Sequence, residues 1–490
     1  MVVSHIFCLF VLPKPPFRNS LFRNQKKGIA AFWITAIFLG TKDRFSYKPG
    51  FMKFYNREHE ITRLLEIQAS SADNAQFTVV TGRRRVGKTQ LLLKATEGSP
   101  TLYFFVSRKA ELFLCEDYQQ EISDKLQIPI LGNVSGFGQV FRFLLQLSVT
   151  RPFSLIIDEF QEFRNINPSV YNDMQRDWDM LKGQSRMNLL VCGSVHSLMH
   201  RIFEDYNAPL FGRATGFLKV KPFSVSVLKT IIEENNPAYS AEDLLALYAF
   251  SGGVAKYVQL FVDNNALTRS GMLDLMIRED SAFIADGKSM LIEEFGKDYA
   301  VYFTILSAIA RGDNTRSKIE AVVGKEVGGY LTRMEHDYGL LTKSLPVFAR
   351  SETKNIRYGI EDNFLTFWFR FIYKYSHIIE INQFNELRKI IERDYSTYSG
   401  RVLEKYFRDK FIEQGGITRI GGYWDKAGKS EIDLLVLNET EKKAQIIEIK
   451  RNAQHIRYNL LKEKAAEMML STQELKNYAI EYKGLSMDDM

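Results

Sequence analysis

Two rhythms of apolar and polar positions run along this chain. Residues 77–81 (FTVVT), 153–157 (FSLII) and 188–192 (NLLVC) are short, apolar, β-rich runs, the pattern of strands in a buried parallel sheet. Residues 225–295 switch to helical spacing, through Leu244, Leu245, Leu247 and Tyr248 to a stop at Gly252 and Gly253. From Ala300 the order is helix, helix (316–323), helix (327–338) and two short strands near 340–343 and 357–360, the order of a winged helix. In residues 362–379, Phe364, Phe367, Trp368, Phe371, Ile372 and Tyr375 fall on one helical stripe, which predicts a helix buried against its neighbours. The last hundred residues read as a helix at 398–411, a strand at 434–437, a polar turn at 438–443 and a returning strand at 444–450.

Chemistry enters where these elements end. The first strand runs into Gly82, Arg83, Arg84, Arg85, Val86, Gly87, Lys88 and Thr89, and a helix follows from Gln90. In such a strand–loop–helix the glycines let backbone N–H groups turn toward phosphate oxygens, and the helix N-terminus adds positive potential. Lys88 is expected to reach the β and γ phosphates, Thr89 to place its hydroxyl on Mg²⁺, and the three arginines to add positive field. Gln90, in the first helical turn, belongs to the same candidate set.

The second strand ends in Asp158 and Glu159. A carboxylate there holds the Mg²⁺ shell through water, and its neighbour polarises the attacking water as a general base. The third strand runs into Gly193 and Ser194, which makes Ser194 a candidate sensor of the γ-phosphate; a plain strand-ending turn is the alternative. Arg213, alone in the otherwise uncharged stretch 208–218, is a candidate arginine finger or an ordinary surface arginine. His196 and His200 stand one helical turn apart, but Ser197 replaces the glutamate of a zinc-protease motif and no third ligand is evident.

Near the C-terminus, Glu404 lies on the expected helix, Asp433 at the head of one strand, and Glu448 and Lys450 on the same face of the returning one. Two strand carboxylates with an adjacent ammonium suit metal-assisted phosphodiester hydrolysis, with Asp433 and Glu448 as metal ligands and Glu404, on the preceding helix, as a supporting third. A solvated hairpin with ordinary surface charges is the alternative.

These motifs together resemble the archaeal-type ATPase family, a branch of the AAA+ and STAND nucleotide switches. The resemblance rests on Asn56, Arg57 and Glu58 before the first helix, TGRRRVGKT, LIIDEFQ, LLVCGS, and a later glycine pair, Gly252 and Gly253, followed by Val254, Ala255, Lys256 and Tyr257. Ala255 stands where the family carries proline. The resemblance implies ATP as ligand, with Arg57 near the bound nucleotide. Residues from 362 onward resemble the uncharacterised C-terminal domain often attached to such ATPases, and Asp433, Glu448, Lys450 and Glu404 match the PD-(D/E)xK nuclease pattern. The implied fold is multidomain α/β: a P-loop NTPase parallel sheet with helical lid, a winged helix, and a C-terminal α/β restriction-endonuclease-like domain. Boundaries are expected at 52–224 (ATPase core), 225–295 (lid), 296–361 (winged-helix-like), 362–395 (aromatic connector) and 396–490 (nuclease-like).

Composition narrows the setting. A chain of 490 residues with 45% hydrophobic and 25% charged positions is long enough for several cores. Three dispersed cysteines, Cys8, Cys115 and Cys192, argue against a disulfide framework and fit a reducing cytoplasm. The net charge of +7 permits nucleic acid or anionic lipid without demanding either. Arg333 in the would-be recognition helix is offset by Glu335 and Asp337, a weak basic surface. Residues 1–51 hold two apolar runs, 6–12 and 28–40, each short of the roughly 20 residues of a membrane span, so an extension without a stable anchor is expected there.

The expected activity is a Mg²⁺-dependent ATPase switch coupled to a DNA-associated nuclease-like domain. The alternative is a non-cleaving assembly scaffold that binds ATP and a protein partner. Self-association is compatible with both, and the choice of ATP over GTP stays open.

Overall fold

The computed structural model describes residues 52–128, 132, 134–350, 352–425 and 430–490. The expectation for residues 1–51 lies outside them. Residues 50–490 form one compact unit.

Five strands, β1 (Gln76–Thr81), β2 (Thr101–Phe105), β3 (Phe153–Asp158), β4 (Met187–Cys192) and β5 (Gly216–Lys219), form an all-parallel sheet in the order β2-β3-β4-β1-β5. Every residue of β3 and β4 is buried, which explains why those strands read as unbroken apolar runs rather than alternating ones. Helices cover both faces. Glu58–Ser70 and Lys88–Ala95 pack on one side through Leu64, Leu91 and Leu92. Helices Glu111–Leu126, Phe137–Leu147 and Val170–Leu181 pack on the other through Leu114, Phe137, Phe141 and Trp178.

Five helices follow between Val225 and Phe295. Ala241–Ser251 starts with a reciprocal capping box between Ser240 and Asp243 and ends at Gly252 with φ 56°. The next glycine, Gly253 (φ +71°), brings the chain back against Phe223: its carbonyl accepts from Phe223 N at 2.7 Å, and a Cβ there would sit 2.4 Å from Phe223 O. Helices Tyr299–Arg311, Arg316–Val323 and Gly328–His336 lead into an antiparallel pair, β6 (Leu341–Ser344) and β7 (Arg357–Ile360).

The aromatic stretch departs from the single stripe expected of it. Asp362 caps a short helix, Asn363–Phe367, through Leu365 N at 3.1 Å, and residues Trp368–Tyr373 then widen into a π-helical turn. Leu365 and Phe369 are buried along with the expected stripe. The extra residue in the turn lets aromatic side chains face neighbours on several sides.

A 31-residue helix, Phe384–Gln414, follows, far longer than the expected segment at 398–411. It packs on a four-stranded sheet, β8 (Arg419–Trp424), β9 (Glu431–Asn438), β10 (Lys443–Ile449) and β11 (Ala479–Leu485), in the order β11-β10-β9-β8. The β8, β9 and β10 pairings are antiparallel, whereas β10–β11 is parallel and joined through the helix Tyr458–Thr472.

The two faces of the β9–β10 hairpin serve different cores. Leu434, Val436, Ile447 and Ile449 join the apolar cluster of the long helix, the aromatic segment and the helices from Val225 onward. Ile432, Leu435, Leu437, Ala444 and Ile446 pack on Tyr458–Thr472. The segments expected as lid, winged helix, connector and nuclease-like unit therefore share one continuous core. Among the described residues no helix is long and apolar enough to cross a membrane.

Candidate nucleotide site

The carboxyl ends of β1, β3 and β4 converge on the glycine loop. Gly82 has φ +148°, and a Cβ on it would lie 2.5 Å from Val220 O, so the loop presses against the chain leaving β5. Gly87 (φ +97°) turns the chain into the helix Lys88–Ala95. The Lys88 ammonium is held by the loop itself, donating to Gly82 O at 2.9 Å and Arg83 O at 3.2 Å. Burial lowers its pKa, with Cys192, Glu159 and Asp158 opposing that shift.

Thr89 Oγ1 donates to Asp158 Oδ2 at 2.6 Å, so the loop and the end of β3 meet. Asp158 also accepts from Tyr103 Oη at 3.0 Å, Cys192 Sγ at 2.9 Å and Glu159 N at 2.9 Å. Tyr103 on β2 and Cys192 on β4 were not legible as site residues, because neighbouring strands bring them in from distant sequence. Burial, with Asp158 next, raises the pKa of both, so each remains a donor. Glu159 takes a left-handed conformation, φ 53°. Its carboxylate accepts from Ser194 Oγ at 2.9 Å and from Gln161 Nε2 at 2.5 Å. A strained backbone held by two side-chain donors fixes where that carboxylate points.

Arg57 is buried and clamps the back of the loop, donating to Lys221 O at 2.7 Å and Val86 O at 3.4 Å and pairing with Glu60 at 3.0 Å. Arg83 and Arg85 are engaged from outside the sheet domain, Arg83 by Asp362 and Arg85 by Asp286. Lys256 N donates to Arg85 O at 3.2 Å, so the segment after the glycine pair touches the loop directly. Burial lowers the Arg83 pKa to about 10. Val86 is buried and Gln90 is exposed on the first helical turn.

Arg213 lies elsewhere, a departure from the arginine-finger expectation. It pairs with Asp179 at 3.1 Å just before β5, where Thr215 N bonds Phe77 O at the start of β1. That is the amino-terminal end of the strands, opposite the phosphate loop. His200 pairs with Glu204 at 3.4 Å in an ordinary surface contact.

Glu404, Asp433, Glu448 and Lys450 come together at the C-terminal sheet. Lys450 Nζ donates to Asp433 Oδ2 at 3.0 Å and lies 3.6 Å from Glu448 Oε1. Ile449 N also donates to Asp433 at 2.8 Å, and Arg457 N to Glu448 at 2.8 Å. Burial, then the Asp433 and Glu431 charges, raise the Glu404 pKa to about 8. The expected three-carboxylate metal set is not closed: among the described residues no three His, Cys, Asp or Glu side chains approach metal-ligand spacing. The lysine lies between the two strand carboxylates instead.

Comparison with known proteins agrees with the loop. Residues 54–261 match the family described as an ATPase domain predominantly from Archaea. Residues 368–468 match a family of archaeal and bacterial proteins of unknown function. An uncharacterised protein of Methanocaldococcus jannaschii is 29% identical over 407 residues, covering 81% of this chain and 87% of its own. Among solved structures, a Walker-type ATPase of Pyrococcus abyssi aligns with TM-score 0.48 and 24% identity over 66% of this chain and 99% of that one. The ORC2 protein of Aeropyrum pernix, in ADPNP and ADP complexes, aligns with TM-score 0.45 and 14% identity over 69% and 97%. Lys88, Thr89 and Asp158 thus meet inside the segment 54–261 that is similar to archaeal ATPase domains, and the segment 368–468, similar to a family of unknown function, follows it in the chain.

Proposed function

We propose that the chain is an ATP-driven switch in which Mg²⁺-dependent hydrolysis at the glycine loop sets the position of the lid and of the C-terminal half. The 2.6 Å contact between Thr89 and Asp158, with Lys88 and Glu159 beside it, carries this reading. Lys88 exchanges the loop carbonyls for the β and γ phosphates, while the N–H groups of the loop and of Gln90 face the remaining oxygens. The hard oxygens of Thr89 and Asp158 fit Mg²⁺, directly and through water, and the ion when bound neutralises charge on the phosphates. Glu159, aimed by Ser194 and Gln161, takes a proton from water as the water oxygen bonds to the γ-phosphorus and the bond to ADP breaks. Arg57 holds the loop's shape. Arg213 can neutralise transition-state charge only at a neighbouring copy's nucleotide, which is the role self-association takes in this reading.

The domain division follows the boundaries given above: core 52–224, lid 225–295, winged helix 296–361, connector 362–395 and restriction-endonuclease-like domain 396–490. The three-helix and hairpin order supports the winged helix, and exposed Arg333 gives it one cationic contact for DNA. The convergence of Glu404, Asp433, Glu448 and Lys450 supports a nuclease-like C-terminal unit. A second reading, a non-cleaving assembly scaffold, is favoured by the lysine that lies between the strand carboxylates.

ATP hydrolysis with and without DNA separates these readings when measured on wild type, Glu159→Gln and Asp433→Ala, with nuclease assays in Mg²⁺ or Mn²⁺. DNA is expected to stimulate wild-type turnover, and Glu159→Gln to lower it about 100-fold or more while ATP still binds. Turnover unchanged by Glu159→Gln sinks the base assignment, and DNA cleavage surviving Asp433→Ala sinks the cluster. A scaffold gives very slow turnover throughout, and its assembly is lost in Lys88→Ala.

A further inference from the structure

A continuous set of side chains joins the glycine loop to the C-terminal cluster. Lys88 Nζ donates to the Arg83 carbonyl at 3.2 Å. The Arg83 guanidinium lies against the rings of Phe364 and Tyr257, at 5.7 and 6.0 Å, and forms an ion pair with Asp362. The second oxygen of Asp362 caps the helix Asn363–Phe367, so a shift of the ion pair disturbs the start of that helix. Glu361, the preceding residue, offers its carbonyl to Lys405 Nζ. Lys405 follows Glu404 on the helix Phe384–Gln414, which packs against β9, the strand that carries Asp433.

Two further observations bear on this set. Lys405 and Arg83 meet neighbouring residues of one turn, the Glu361 carbonyl and the Asp362 carboxylate, so the two cations share one electrostatic neighbourhood. A pocket of about 240 Å³, open to the surface and lined by Glu361, Lys405, Asp409 and Tyr248, borders the set and gives its side chains room to move. A parallel strut runs nearby. Arg451, next to Lys450, pairs with Glu242 at 2.5 Å in the first turn of the lid helix Ala241–Ser251 and donates to Ser399 on the long helix.

We propose that these contacts form a relay that makes nucleotide occupancy and the geometry of the C-terminal cluster one linked equilibrium. Phosphate draws Lys88 off the Arg83 carbonyl; the Arg83–Asp362 pair shifts; Glu361 and Lys405 pass the shift to the turn that carries Glu404. This rests on the nucleotide-binding reading above. Because linkage is reciprocal, breaking the relay also alters nucleotide affinity.

The test is hydrogen exchange on the full chain with and without a non-hydrolysable ATP analogue and Mg²⁺, in wild type, Asp362→Asn and Lys405→Met, with analogue binding measured separately. In wild type, the analogue is expected to change exchange across residues 400–410 and 448–451 by about fivefold or more. Both variants are expected to bind the analogue within about tenfold of wild type, with the response reduced below about twofold. Lys405→Met leaves the helix cap intact and keeps an unbranched side chain, so the test stands even where Asp362→Asn misfolds. A full response in a variant that still binds overturns the relay, as does a wild type that binds without any change at 400–410. A wild type that binds no analogue overturns the nucleotide reading itself.

Discussion

Gly253 shows how much one position can carry. Its left-handed φ and its approach to Phe223 leave no space for a Cβ, and its carbonyl closes the turn that brings Lys256 to Arg85. Gly253→Ala is expected to cost on the order of 2 kcal/mol, from backbone strain plus a weakened hydrogen bond, read as a lower urea midpoint. An unchanged midpoint would show that the turn is slack. The glycine loop, Asp158 and Glu159 were legible in sequence because each motif is contiguous and ends a strand of recognisable pattern. Tyr103, Cys192 and Gln161 were not, since nothing local marks a tyrosine in an edge strand as the partner of an aspartate 55 positions away. Asp362 and Asp286 escaped for the same reason: their ion pairs with the loop arginines depend on how helices dock.

Among elements, the aromatic segment is the most instructive. Helical spacing found its buried residues but missed the π turn at Trp368–Tyr373, which is a consequence of packing on several neighbours at once. Trp368 illustrates the demand: its indole donates to Ile284 O at 3.0 Å, its ring lies edge-on to Phe303, and a Cβ on Gly287 would come within 2.5 Å of it. Trp368→Ala is expected to destabilise the fold by about 3–5 kcal/mol, measured by chemical denaturation. A loss under about 1 kcal/mol would mean that the site collapses around the deletion. The hairpin of β9 and β10 was foreseen from its polar turn, and its register places Ile447 opposite Leu434. The parallel partner β11 was not, because a crossover connection leaves no short-range signal.

For the whole molecule, the segments from Val225 onward share one apolar core, while the two faces of the five-stranded sheet carry cores of their own. All the candidate site residues lie inside the compact unit of residues 50–490. A polypeptide of those residues is therefore expected to bind an ATP analogue within about threefold of the full chain, by fluorescence titration. A larger loss would assign the first 49 residues a part in binding. Arg213 is instructive at this scale, since its isolation in an uncharged stretch said nothing about which end of the sheet it occupies. The helix Phe384–Gln414 touches both the helices from Val225 onward and the C-terminal sheet, and its reach can be put as lever arithmetic. Its 31 residues span about 46 Å at roughly 1.5 Å each, so a tilt of about 5° at one end moves the other by about 4 Å. Glu404 rides about two-thirds of the way along that arm. A rotation too small to alter the packing at the pivot would still open or close the spacing between Glu404 and Lys450 by about 2.7 Å, close to the length of a hydrogen bond.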